Sequence, residues 1–166
     1  MTQSVTAFNG QTIYLDTMIP YALLRNIDPQ AAKNLFQRLQ EGEFRAFTSV
    51  LTFDELAYRL LLAAIRDNYP GNPLDQLRQN EVQLIETYSP KIAAQLQGLQ
   101  TFPNLTLLDV TTTDITQMNQ LMQQHHLRPR DALHLAAMHK CNCFNLVSQD
   151  ADFDDVPYLH RFTLNE

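Results

Sequence analysis

Five short strand-like runs punctuate this chain, at Thr12–Leu15, Phe44–Ser49, Leu105–Val110, Asn145–Ser148 and Arg161–Leu164, with helix-patterned stretches between most of them. That alternation is the tightest constraint the sequence places on a fold. Strands joined through helices pair in parallel, because the crossover returns each strand to the same edge of the sheet. The expected architecture is therefore α/β: a three-layer α/β/α sandwich around a mostly parallel five-stranded sheet. The helical stretches carry one-sided apolar spacing. In Pro29–Glu41 it runs through Ala32, Leu35, Phe36 and Leu39, and in Asp114–His126 through Ile115, Met118, Leu121 and Met122. Leu51–Asn68 is apolar on more than one side, and Asp131–His139 is short with an apolar inner face. Leu74–Tyr88 and Ser89–Leu99 depart from simple alternation and predict a long helical hairpin in the middle of the chain, broken at Pro90.

Length and composition agree with a globular reading. At 166 residues, 45% of them apolar and 18% charged, the chain is expected to form a single domain over residues 1–166 with its core at about 11–164. No apolar run is long enough to span a bilayer, and the opening "MTQSVTAFNGQT" has neither the basic nor the apolar region of a signal peptide. The expected location is the cytoplasm, without a membrane partner. The two cysteines, Cys141 and Cys143, are too few for a disulfide framework or a thiolate metal site and read as buried thiols.

The carboxylates carry the chemistry. In open parallel sheets, binding sites form beyond the carboxyl ends of the strands. Asp16 ends the first strand in "TIYLDTMIPY", and Asp150 follows the fourth in "FNLVSQD". Glu55 lies early in the helix after the second strand, and Asp131 opens the helix of "RPRDALHLAAM". Parallel pairing sends all four to one edge. Singly, each has a structural explanation: Asp16 as a helix cap, Thr52-x-x-Glu55 as a capping box, Asp131 at the positive end of its helix, Asp150 as a turn residue. Jointly they repel and raise one another's pKa values, unless a cation sits among them. Hard oxygen donors suit Mg²⁺ or Mn²⁺, as one or two ions, and such a centre suits metal-assisted hydrolysis of phosphodiesters.

A net charge of −6 does not exclude a nucleic-acid partner. Seven acids sit at Asp16, Glu55, Asp131 and the run Asp150, Asp152, Asp154 and Asp155. Without them, 11 acidic residues face 12 basic ones. In "HHLRPRD", Arg128 and Arg130 precede Asp131, where they either meet the phosphates of an RNA strand or favour a solvated helix end.

As a set, "YLDTMIPYALL", "TSVLTFDELAYRLL" and "RPRDALHLAAMHKCNCFNLVSQDADFDDVPYL" resemble the PIN domain, and most closely the VapC-type toxin ribonucleases, over about residues 11–164. The resemblance implies a flavodoxin-like sandwich and a metal-dependent endoribonuclease. Asp16, Glu55, Asp131 and Asp150 would form its acidic quartet, with Asp152 as a further acidic position. Ser148 would position a water, support Asp150 or satisfy a strand end, Thr17 would assist Asp16, and His134 of "D-A-L-H" would pack. The implied partners are an RNA substrate, a cognate antitoxin and a second copy in a homodimer. The chain departs from compact toxins in about ten extra N-terminal residues and a long helical region around 66–104. Two other readings stand beside it. One is a PIN-fold RNA-binding or protein-interaction module with weak or no nuclease activity. The other is an aspartyl-phosphate phosphohydrolase, which wants a second Asp two residues after Asp16, where this chain has Met18.

Overall fold

The computed structural model describes residues 3–27 and 29–164. Its elements in chain order are β1 (Gln3–Ser4), β2 (Thr12–Leu15), α1 (Met18–Arg25), α2 (Pro29–Gln40), β3 (Arg45–Ser49), α3 (Val50–Asn68), α4 (Pro73–Gln79), α5 (Glu81–Gln100), β4 (Leu105–Leu108), α6 (Thr112–His125), α7 (Pro129–Lys140), β5 (Asn145–Val147) and β6 (His160–Thr163). The strands form one sheet in the order β1-β6-β5-β2-β3-β4, and every pairing is parallel. From β2 the chain steps outward to β3 and β4, then returns to β5 on the other side of β2. Strand order thus reverses between β2 and β5, and a crevice opens beyond their carboxyl ends.

Side-chain alternation along β2 divides the core. Ile13 and Leu15 face a cluster with Leu35, Leu39 and Leu56, beneath α1, α2, α3 and α5. Tyr14 points the opposite way, into a cluster with Leu121, Leu135, Met138 and Phe153 beneath α6 and α7. Ile13, Tyr14 and Leu15 are fully buried, as expected of a central parallel strand covered on both faces. Cys143 is buried and Cys141 half-buried, and neither forms a disulfide.

The sheet has six strands where five were expected. The sixth is β1, only two residues long, pairing Gln3 with Phe162 and Ser4 with Thr163 of β6. Its composition carries no strand signal; it is extended because β6 offers an open edge. The segment is held by tertiary contacts. Phe8 packs edge-on against Phe44 and Phe162, at 5.4 and 5.2 Å between ring centroids. A Cβ at Gly10 would lie 2.7 Å from the Phe8 ring, so that close approach requires glycine. The Arg38 guanidinium donates to the carbonyls of Val5 (3.3 Å) and Phe8 (2.6 Å) and pairs with Glu43. Arg38→Ala is expected to destabilise the protein by about 1.5–3 kcal/mol in urea unfolding, the worth of charged hydrogen bonds; a loss near zero would mean the N-terminal segment is not anchored there.

The helical hairpin is formed by α3 and α5, joined through residues 69–80 that include α4, and no break falls at Pro90. Asn80 leaves the helical region at φ −132° and ψ 33°, whereas α5 runs unbroken through Pro90. Pro90 is exposed, so water can satisfy the carbonyl that loses its N–H partner. Leu84, Ile92, Leu96 and Leu99 continue one apolar stripe across the proline, and burying it keeps the helix whole. Among the described residues, no helix is long and apolar enough to cross a membrane.

Candidate metal centre

Asp16 follows β2 directly. Its backbone N–H continues the ladder to Val147 O of β5 at 3.1 Å, which turns its side chain into the crevice. There Oδ1 accepts from the Thr17 N–H at 2.6 Å and Oδ2 from the Ser148 hydroxyl at 2.7 Å. The residue flanking the start of α1 is Thr17, whose side chain makes no capping bond. Thr17 instead donates its hydroxyl to Glu55 Oε2 at 2.6 Å.

Glu55 is not part of a capping box. Ser49 flanks the start of α3 without a side-chain cap, and Thr48 donates its hydroxyl to that of Thr52 at 2.7 Å. Glu55 is thereby left to face Asp16. Its other oxygen, Oε1, accepts from the Arg130 guanidinium. The His134 imidazole, the Thr17 hydroxyl and Arg130 together outweigh burial and hold the Glu55 carboxyl down at about 2.

Asp131 opens α7, where Pro129 at the first turn starts the helix without losing a needed donor. Burial, with Asp150 and Asp16 nearby, pushes its carboxyl up to about 6 against the pull of His134 and Arg128. Asp150 follows β5 and begins a turn of 3₁₀ helix over Ala151–Asp155, accepting from the Asp152 N–H at 2.9 Å. The hydroxyl of Ser148 both donates to Asp16 and accepts from the Asp150 N–H at 3.0 Å, so one side chain ties the ends of β2 and β5.

The five carboxylates sort into two adjoining groups. Asp16, Glu55 and His134 form one, and Asp131, Asp150 and Asp152 the other, with donor atoms in each within 4.8 Å of one another. Each group has an arginine beside it: Arg130 on Glu55, and Arg128 at 3.8 Å from Asp150 and 3.5 Å from Asp152. Two features fit a cation here. Asp131 is held protonated to an unusually high pH by burial and its carboxylate neighbours, and His134 Nε2 is a buried nitrogen with no hydrogen-bond partner.

Sequence reasoning gave His134 a packing role and passed over its contacts. It is 2% exposed, its Nδ1 is hydrogen-bonded to the Tyr14 hydroxyl at 2.9 Å, and its Nε2 lies 3.7 Å from Glu55 and 3.9 Å from Asp16. The available signal was periodicity: Tyr14 and Asp16 share a strand face, and Asp131 and His134 share a helix face. Arg161 was also missed. It forks onto Asp154 at 2.7 and 2.6 Å and donates to Ser148 O at 3.1 Å, so Asp154 is paired. Arg161 thereby braces the loop that carries Asp150 and Asp152. Arg161→Ala is expected to cost about 2 kcal/mol of stability, on the scale of charge-assisted hydrogen bonds. Denaturant titration reads this directly, and an unchanged midpoint would deny the brace.

A model of the PIN domain family matches residues 13–158. No curated protein sequence matches the chain. Solved structures share its fold at low identity. VapBC2 from Rickettsia felis, bound to a promoter DNA fragment, aligns at TM-score 0.61 and 15% identity, covering 92% of this chain and 98% of that one. VapC20 from Mycobacterium tuberculosis, a toxin that cleaves the sarcin–ricin loop, aligns at TM-score 0.59 and 17% identity, covering 89% and 96%. A toxin–antitoxin complex from Klebsiella pneumoniae aligns at TM-score 0.58 and 15% identity, covering 93% and 98%. With the family model spanning the four strands from β2 to β5 and both groups of carboxylates, the chain belongs to the PIN domain family.

Proposed function

We propose that this PIN-family chain is a divalent-metal-dependent endoribonuclease and the toxin of a toxin–antitoxin pair, acting in the cytoplasm. The observation that carries the reading is the convergence of Asp16, Glu55, Asp131, Asp150 and Asp152 at the switch point of the sheet. A bound Mg²⁺ or Mn²⁺ supplies Lewis-acid chemistry to a phosphodiester there. The chain's own residues hold and aim the donors: Thr17 fixes Glu55, and Ser148 fixes Asp16 and the backbone of Asp150. Asp152 completes the second group from the 3₁₀ turn.

Arg128 and Arg130 are the cations nearest the carboxylates, and both side chains are exposed, at 73% and 59%. We assign them to the RNA backbone, where a planar guanidinium meets phosphate oxygens in pairs. The solved neighbours support an antitoxin partner, since several are toxin–antitoxin complexes. An exposed apolar groove between α3 and α5, lined by Ala57, Tyr58, Leu61, Ile85, Ile92 and Leu96, supports a protein-binding face on the helix that also carries Glu55. A homodimer belongs to the same proposal.

The test is cleavage of structured RNAs by the purified protein with Mn²⁺ or Mg²⁺, with EDTA in place of metal, and by an Asp16→Asn variant with metal. The proposal expects cleavage by the unaltered protein with metal alone. Equal cleavage by the variant, or none with any divalent metal, overturns it.

A further inference from the structure

We infer that His134 is a direct ligand, through Nε2, of the ion held by Asp16 and Glu55, and that this nitrogen makes the first carboxylate group prefer Mn²⁺ to Mg²⁺. The inference rests on the metal-centre reading above and assigns this histidine a role within it.

His134 is buried beside Asp16 and Glu55. Its ring stands edge-on to Tyr14, with centroids 5.8 Å apart. The Tyr14 hydroxyl takes up Nδ1 at 2.9 Å and fixes the ring's rotation. Nε2 is thereby aimed at Asp16 Oδ1 and Glu55 Oε2 from 3.9 and 3.7 Å. An N–H···O bond wants about 2.7–3.2 Å, so Nε2 makes none, and it has no other partner. A buried polar atom facing two acceptors without reaching either calls for an explanation.

The spacing has one in coordination. Ligand atoms that each stand about 2.0–2.2 Å from one ion, at ordinary bond angles, are roughly 3.0–3.8 Å from each other. The His134–Glu55 separation of 3.7 Å falls at the upper end of that interval, and the 3.9 Å to Asp16 lies just beyond it. The two carboxylate oxygens are pre-aimed as well, since Thr17 holds Asp16 Oδ1 with its N–H and Glu55 Oε2 with its hydroxyl.

The hydrogen bond at the other ring nitrogen agrees. A metal-bound imidazole commonly donates its other N–H to an oxygen, which sets the tautomer. With Nδ1–H donating to Tyr14, Nε2 presents its lone pair to the ion. An imidazole nitrogen suits first-row transition ions far better than Mg²⁺, which favours oxygen donors and retained water. The second group, all carboxylate, lacks that bias.

The deciding experiment is pulsed electron paramagnetic resonance of the full chain, stripped with EDTA and reloaded with Mn²⁺, reading ¹⁴N modulation from a coordinated imidazole. Calorimetry on the same samples gives Mn²⁺ and Mg²⁺ affinities. The expected result is ¹⁴N modulation in the unaltered protein, lost in His134→Gln. In that variant Mn²⁺ affinity should fall by about 10–100-fold and Mg²⁺ affinity much less. Tyr14→Phe keeps the ring packing and should weaken Mn²⁺ binding while the nitrogen signal persists. Mn²⁺ binding without ¹⁴N modulation in the unaltered protein overturns the inference and leaves the metal-centre reading standing. Absence of Mn²⁺ binding overturns both. The measurement on the unaltered protein decides the matter even if His134→Gln does not fold.

Discussion

Asp131→Asn is expected to make the metal-free protein more stable at neutral pH while removing nearly all of its nuclease activity. Burial and the carboxylates of Asp150 and Asp16 raise the Asp131 pKa from 3.8 to about 6. The folded chain therefore holds this proton more tightly than the unfolded chain does. Its contribution to stability is complete below the unfolded value, is lost as pH rises, and is gone above about pH 6. A shift of that size corresponds to at most about 3 kcal/mol, and partial solvent access reduces it to about 1–2 kcal/mol. Asparagine cannot ionise, so above about pH 6 the variant escapes the repulsion. Thermal melts in EDTA should show a gain of about 3–6 °C at roughly neutral pH, shrinking toward pH ~4. A gain independent of pH, or none at neutral pH, would show that the repulsion is relieved in some other way. Cleavage should fall by about 10²–10³-fold, on the scale of removing a preorganised charge from a reacting centre. A site that weakens the fold it sits in is a mark of groups placed for chemistry.

The second large effect concerns the turn that carries Asp152. Phe153 lies between Asp152 and Asp154 and is 1% exposed, packed into the cluster with Tyr14, Leu135 and Met138. Its ring is the apolar anchor of the 3₁₀ turn that begins at Asp150. Phe153→Ala is expected to cost about 3–5 kcal/mol, through lost transfer energy and the cavity left behind. Guanidinium or urea unfolding should show a lower midpoint with an unchanged slope. Mn²⁺ affinity should fall with it, because the second carboxylate group loses its support. Phe153→Leu preserves most of the volume and should cost under about 1.5 kcal/mol. A cost below about 1 kcal/mol for the alanine variant would place the anchor elsewhere, most directly in Arg161 and its fork onto Asp154.

Much of the fold was legible along the chain. Each central strand was placed by its apolar run, and the helices by spacing at three and four residues. Parallel pairing followed from the alternation of the two. The positions of Asp16 and Asp150 just past strand ends were likewise local facts, and the rule for open sheets turned them into neighbours. Where local signals failed, a contact made elsewhere decided. Pro90 reads as a break, yet α5 passes through it because Leu84 and Leu99 are buried, and Ile92 and Leu96 half-buried, against the rest of the chain. Gln3 and Ser4 read as nothing in particular, and they form a strand because β6 has a free edge. Thr52 and Glu55 fit a capping box by spacing, but Thr48 engages Thr52, and Thr17 and Arg130 take Glu55.

By itself, the sequence determined the parallel α/β architecture and the edge at which the carboxylates gather, because strand and helix periodicities are set by near neighbours and a strand's end is where its residues stop alternating. Only the tertiary structure decided how those carboxylates are divided and what stands among them. The Tyr14–His134 contact joins residues 120 positions apart, and the Ser148 bond to Asp16 spans 132. Arg130 reaches Glu55 across 75. Which side chain meets which over such separations depends on the rotation of α7 about its axis and the register of β5 against β2, and both are settled by packing of the whole core.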